Sequence, residues 1–427
     1  MTAEVGVLNR LGVALAADSA VSIGREANKI WTSADKLFHL SPSAPVGVMI
    51  YGNASFVGVP WESAVKEFRR NLGKTRYNTL EGYAERFFRF LAGNRALFPR
   101  VAQDRATDIL TESLFLHVRQ EAQAKLTLEA ERRNGLDEAD IGPIIEAVVK
   151  NRLGQIRSRP LLKGFDRAVR QAVRDRYEPA LRRAREKVFG KLPLTNATRR
   201  ALGAMAREML NRHYMGPARA GVVVAGFGER EATPSLLSYD VEEMAAGKPR
   251  RTQPDRTLIG LDNDAVIVPF AQQEMVHSFL RGVDLDLAAH MRQSTTVLFD
   301  GTVIQILEGV EKADKALRQS IEAEIRPEIP RLLKGLFDDW EAQTARHWKP
   351  VVEIVASLPK DELAAMAEAL VNLTKFRRRI TPERETVGGP IDVAVITKGD
   401  GFVWVKRKHY FDQALNPRVI ARYMREG

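Results

Sequence analysis

The sequence predicts an α+β fold. Short apolar, β-branched segments open the chain, recur near its middle and close it. Long segments with apolar residues at helical spacing fill the two intervals between them. At 427 residues and 44% hydrophobic content the chain exceeds one typical domain and can bury a sizeable core. It shows no internal repeat and no low-complexity linker, so the helical stretches read as packed excursions from one core.

Residues 3–9 and 12–18 form the first expected hairpin, with Asn9-Arg10-Leu11 ahead of Gly12 as a three-residue loop. If Leu8 pairs with Gly12, Thr2 stands opposite Asp18, with Cβ atoms roughly 5 Å apart. A loop one residue different moves Asp18 opposite Ala3. A second hairpin is expected over 36–40 and 46–51, turning through Ser41-Pro42-Ser43-Ala44-Pro45. It ends at Gly52-Asn53, before a helix that opens near Pro60-Trp61-Glu62. Further helices are expected at about 61–72, 80–91, 105–132, 141–156, 165–188 and 196–213. In 80–91 the residues Tyr83, Phe87, Phe88 and Leu91 share one helical face, the mark of a core stripe rather than a ligand site.

The middle hairpin spans 220–228 and 233–240, with Gly226-Phe227-Gly228 read as a turn and not a nucleotide loop. The second interval predicts helices at 266–281, 304–325, 329–347 and 361–376, with Pro327 and Pro330 breaking the long middle run. The last of these has Leu363, Met366, Leu370 and Leu373 on one face and few charges elsewhere, which predicts burial on both sides, either in the core or at a subunit contact. Residues 384–427 supply two closing strands and a short basic tail.

The chemistry concentrates at the start. Initiator methionine is normally removed when residue two is small, which would expose Thr2. An N-terminal threonine carries nucleophile and base together, because its hydroxyl attacks while its own α-amine, pKa near ~8, takes the proton. Taken alone, such a residue is more simply a frayed end. A carboxylate brought beside it by the hairpin changes that balance. Gly52, at a strand end, can present its N–H to an oxyanion, although a turn glycine needs no such role.

Met1-Thr2, the run Gly12-Val13-Ala14-Leu15-Ala16-Ala17-Asp18-Ser19, the Lys36-Leu37-Phe38-His39-Leu40 strand and Gly52-Asn53 together resemble the proteasome β-subunit group of N-terminal nucleophile (Ntn) hydrolases, which includes the HslV-type and Anbu-type peptidases. The middle hairpin and the closing strands, from Val387-Gly388-Gly389-Pro390 onward, are similar to that group's later blocks. The resemblance implies a four-layer αββα Ntn-hydrolase sandwich with enlarged helical layers. Its core segments would be 2–58, 216–264 and 386–427, with helical insertions at 59–215 and 265–385. It implies a threonine protease or amidase acting on a peptide or amide bond, in a cytoplasmic homo-oligomer.

By matching position, Thr2 is the nucleophile and general base, and Asp18 orients a lysine ammonium. Lys36 best matches that lysine, although it lies two residues farther from Asp18 than usual and Lys29 is the alternative. Gly52 supplies the oxyanion N–H. A nearby ammonium would lower the amine pKa and keep it basic. The chain departs from the pattern at Ala20, where arginine is common, and at Gly260-Leu261-Asp262, which lacks the supporting serine. It departs again at Arg384 and Val387, where the supporting aspartate and serine fall. Glu383, Glu385 and Asp262 are the available substitutes.

Composition narrows the alternatives. No apolar run approaches the ~18–20 residues that span a membrane, and Glu4, Asn9 and Arg10 interrupt any leader-like start. With no cysteine there is no thiol catalysis, disulfide or cysteine metal site. Seven scattered histidines lack HExxH spacing, so neither a metal nor another cofactor is expected. Residues 150–213 hold 18 Lys/Arg against 5 Asp/Glu, while the whole chain is +11. That stretch can serve an acidic protein or nucleic acid, or it can be a solvated helical face. It lacks the interleaved aromatic residues of a base-stacking surface. A non-catalytic scaffold using this insertion is therefore the second reading.

Overall fold

The computed structural model describes residues 2–23, 29–190, 192–311, 314–382, 387–419 and 421. In chain order the strands and helices begin with β1 (Ala3–Asn9), β2 (Gly12–Asp18), β3 (Val21–Ile23), β4 (Lys29–Trp31), β5 (Leu37–His39) and β6 (Val46–Gly52). The short pair β7 (Ser55–Phe56) and β8 (Val59–Pro60) leads into α1 (Trp61–Leu72) and α2 (Leu80–Gly93). Next come α3 (Arg100–Arg133), α4 (Glu138–Arg157), α5 (Arg167–Phe189) and α6 (Asn196–Asn211). Five strands follow: β9 (Ala220–Gly226), β10 (Ser235–Ala245), β11 (Lys248–Arg251), β12 (Asp255–Leu258) and β13 (Ala265–Ala271). The chain then forms α7 (Glu274–Arg281), α8 (Leu285–Glu311), α9 (Lys315–Ser357), α10 (Lys360–Ile380), β14 (Ile391–Thr397) and β15 (Gly401–Lys406). Two compact units result, one of Met1–Thr32 with Ile259–Val393, the other of Ser33–Leu258 with Ala394–Gly427.

In the first unit β13, β1, β2 and the start of β14 lie side by side, β1 antiparallel to both of its neighbours. Strands β1 and β2 are buried along their whole length, the polar Glu4, Asn9 and Asp18 included. Helix α10 packs over both strands through Leu363, Ala367, Leu370 and Val371. Its opposite side is exposed in the single chain at Ala365, Ala369, Asn372 and Phe376, so within the chain only one side is buried and the other is left for the subunit contact that the apolar pattern also allows.

Two further expectations fail here. Residues 266–281 are not one helix: 265–271 pair with β1 as an edge strand, and only Glu274–Arg281 is helical. The β-branched run Val266-Ile267-Val268 favours extension, and at an edge Pro269 need not donate to a second neighbour. Nor do the prolines stop the middle run. Helix α9 carries Pro327, Pro330 and Pro350 inside 43 residues. Tertiary packing overrides the local cost, since Ile329 and Leu333 are buried on α9, which pairs with α8. The real interruption precedes α9, where the Asp314 carboxylate caps the N–H groups of Ala316 and Leu317. Lys312 and Ala313, inside the predicted 304–325 helix, lie outside the described residues.

In the second unit a sheet ordered β11-β10-β9-β6-β5 also pairs β12 with β10. Helices α1 and α2 cover one face with an aromatic core: Phe56 against Trp61 and Phe98, and Phe68 against Phe87 and Phe90. The stripe Tyr83, Phe87, Phe88 and Leu91 is buried there, as its spacing predicts. Helices α3 to α6 build a core of their own around Phe115, Val148, Tyr177, Phe189, Leu202 and Met205. The predicted helices between 61 and 213 all form, with ends shifted by five residues or fewer.

Candidate active site

The first hairpin closes one residue later than the expected register. Leu8 pairs with Val13, not Gly12, so continuing the ladder sets Asp18 opposite Ala3 rather than Thr2. The cause is Asn9, fully buried at the turn. Its side-chain oxygen accepts from the N–H groups of Leu11 (2.9 Å) and Gly12 (3.3 Å), so the loop tightens to Arg10-Leu11, with Asn9 ending β1 and Gly12 opening β2. Its amide donates to the carbonyls of Val355 and Leu358 at the end of α9.

The corrected register still delivers a carboxylate to the start of the chain. Asp18 is 1% exposed, and its Oδ1 accepts from the Ala3 N–H at 3.1 Å. Its Oδ2 accepts from the N–H groups of Ala20 (3.2 Å) and Gly388 (3.0 Å). Three donors from separate stretches of backbone thus fix both oxygens, one of them belonging to the residue joined to Thr2. Ser19 secures the same junction, its N–H on the Gly388 carbonyl and its hydroxyl on the Pro390 carbonyl. Gly389 must be glycine: its φ is +76°, and a Cβ would lie 2.5 Å from the Thr32 carbonyl oxygen. Thr2 is 5% exposed and its carbonyl accepts from the Gln272 N–H, so it is not a frayed end.

Lys36 and Gly52 belong to the second unit. Lys36 is 5% exposed, and its carbonyl accepts from the Ile50 N–H at 2.8 Å. Hydrogen-bonding direction alternates along a strand. Because the Asn53 N–H reaches Arg219 on the β9 side, Gly52 aims its N–H at the β5 side, two residues past the Ile50 rung. Gly52 has φ +79°, and a Cβ there would fall 2.5 Å from the Arg219 carbonyl oxygen. Gly52→Ala is therefore expected to cost about 1–3 kcal/mol of stability. If its N–H serves an oxyanion, the variant also loses about 100-fold in reaction rate. Urea melts and acylation rates check both. A variant with unchanged rate removes Gly52 from the reaction.

The remaining candidates scatter. Lys29 opens β4 opposite Ile23. Asp262 is exposed between β12 and β13, and Val387 is fully buried. Glu383, Arg384 and Glu385 lie outside the described residues. Sequence reasoning missed the Gly388 N–H as a ligand of Asp18; the Gly388-Gly389-Pro390 turn signal marked the segment without revealing its partner.

Farther along β5, His39 stacks on Phe402 with ring centroids 4.9 Å apart, in a cavity of about 760 Å³ that also involves Arg69, Arg76, Trp404 and Arg407. Burial, then the Arg69 charge, lowers the His39 pKa to about 4, against an opposing hydrogen bond with the Ala44 backbone. Its folded value lies below its unfolded value, so the unfolded chain binds more protons between the two. The neutral ring's contribution is whole above pH 6.5 and shrinks as pH falls towards about 4. That amounts to roughly 3 kcal/mol across the window. Urea melts from pH 4 to 8 should show His39→Gln with the shallower slope below pH 6.5. Equal slopes would remove His39 as the source.

No protein-family model matches the chain, and no curated protein matches it. Among solved structures it is similar to a Gly-1 mutant of Anbu from Hyphomicrobium sp. strain MC1, at 10% identity and a TM-score of 0.31, covering 100% of this chain and 96% of that one. It is similar to Anbu (ancestral beta-subunit) from Yersinia bercovieri, at 9% identity and 0.29, covering 99% and 96%. A helical assembly of the Anbu complex from Pseudomonas aeruginosa gives 11% and 0.26, covering 99% and 94%. At this level of likeness the reading of the site rests on the chain's own residues.

Proposed function

We propose that the chain is a proteasome-like N-terminal-threonine hydrolase, a peptidase or amidase, acting through Thr2 once Met1 is removed. One observation carries the reading: the buried Asp18 carboxylate is fixed by three backbone donors, including the N–H of the residue that follows Thr2. A carboxylate in that place can orient a cation against the freed amine. In this reading Lys36 supplies the cation and lowers the amine pKa. The Thr2 hydroxyl then attacks the substrate carbonyl and passes its proton to the amine, while the Gly52 N–H stabilises the oxyanion. The amine protonates the leaving group and next activates the water that frees the acyl enzyme. Half-exposed Leu287, Val297, Leu298 and Ile304 on α8 leave apolar surface for a second copy, in keeping with a homo-oligomer.

A non-catalytic scaffold is the second reading, favoured by Ala20 and Val387, which are apolar where the resemblance expects arginine and serine. Intact mass, measured with and without a threonine-directed electrophile, separates the two. The hydrolase has lost Met1 and takes one adduct, on Thr2. Retention of Met1, or an adduct elsewhere, leaves the scaffold.

A further inference from the structure

Helix α5 carries cations on two sides, and only one side is matched. Against α3 it sets Arg176 on Asp104 (2.7 Å), Arg183 near Asp108 (3.9 Å) and Lys187 on Glu112 (2.8 Å). The three carboxylates recur every fourth residue of α3, as a stripe along one face of a helix. Towards α6, by contrast, α5 presents Arg182 and Arg185, and α6 answers with Arg199 and Arg200, around a cleft of about 440 Å³. An adjoining cleft of about 160 Å³ shares Arg207 and adds Arg170 and Arg174. Arg207 is paired with Glu178 at 2.6 Å. Among the described residues no carboxylate pairs with Arg170, Arg174, Arg182, Arg185, Arg199 or Arg200; Arg185 reaches only the Arg199 carbonyl.

We propose that this α5–α6 groove docks an acidic helical segment of a partner protein, with carboxylates recurring every four residues. Charge complementarity carries the choice of occupant, because the fold already satisfies the other side of α5 with such a stripe on α3. From Arg170 to Arg185 the row runs about 22 Å along the helix, against about 18 Å for four carboxylates at that spacing and about 24 Å for five. Guanidinium groups grip carboxylates through paired N–H donors, and every cation in these clefts is arginine. A nucleic-acid strand fits less well, because no aromatic side chain lines either cleft to stack a base. The proposal stands whether or not Thr2 is catalytic.

The test is fluorescence anisotropy on the full chain with three labelled probes: a helical peptide with glutamate at every fourth position, its scrambled isomer and a single-stranded DNA oligonucleotide. The striped peptide is expected to bind tightest. The triple variant Arg182→Glu, Arg199→Glu, Arg200→Glu should weaken it at least tenfold. Lys74→Glu, Arg89→Glu, Arg95→Glu makes the same net change at exposed positions away from the groove, and should stay within threefold of wild type. Circular dichroism melts confirm that both variants fold. Equal losses in the two variants, no binding by wild type, scrambled peptide binding as well as striped, or DNA binding tighter than peptide would each overturn the proposal.

Discussion

Thr2→Ala should take no covalent adduct from a threonine-directed electrophile, and its hydrolytic rate should fall by ~10³-fold or more, because the sole attacking oxygen is gone. Thr2→Ser, which keeps hydroxyl and amine, should still form the adduct. The pH dependence identifies the base. An amine must be unprotonated to accept the hydroxyl proton, so acylation should rise with pH through the amine pKa and level above it. Asp18→Asn should slow acylation without removing the nucleophile. Its amide nitrogen would meet backbone donors where the carboxylate now accepts from Ala3, Ala20 and Gly388, so at least one contact must break. If Asp18 works by holding a cation near the amine, the variant's pH profile moves to higher pH as well as lower rate. A profile reduced in height alone would make Asp18 a structural support of the hairpin.

How far the sequence reveals this arrangement depends on the range of the interactions involved. The three hairpins and the helices between 61 and 213 are legible because each depends on local period and turn residues. The place of Asp18 beside the start of the chain is legible for the same reason, since a hairpin brings its own ends together. The register is not, because it hangs on Asn9, whose amide answers carbonyls more than 340 residues away. The Gly388 donor is equally remote from Asp18. The strand at 265–271 is hidden by a different ambiguity: a short apolar run has no period to separate strand from helix, and only pairing with β1 decides it. Helix α9 errs in the other direction, with three local breakers outvoted by packing along α8.

Arg250→Met should be the most destabilising single change in the second unit, by about 3–5 kcal/mol. Arg250 is fully buried and paired with Glu242, itself 2% exposed. Its remaining donors reach the carbonyls of Met209 (2.8 Å), Leu210 (3.2 Å) and Tyr214 (2.8 Å). Met209 and Leu210 lie in the last turn of α6, where carbonyls lack helical partners and the helix dipole is negative. One guanidinium therefore neutralises a buried carboxylate on β10 and caps the helix that closes the α3–α6 core. Methionine fills much of the volume but takes the cation from the buried Glu242 carboxyl, which among the described residues keeps the Gly216 N–H on its Oε1. Adding Glu242→Leu should recover part of the loss, since an apolar pair avoids the stranded carboxyl even though the α6 carbonyls stay uncapped. Urea denaturation of the two variants measures the difference. Hydrogen exchange should rise first across 205–216, where the carbonyls released by Arg250 lie. Exchange that rises evenly through the unit, or a cost under about 1 kcal/mol, would mean that α6 is held by its apolar face and not by this cation.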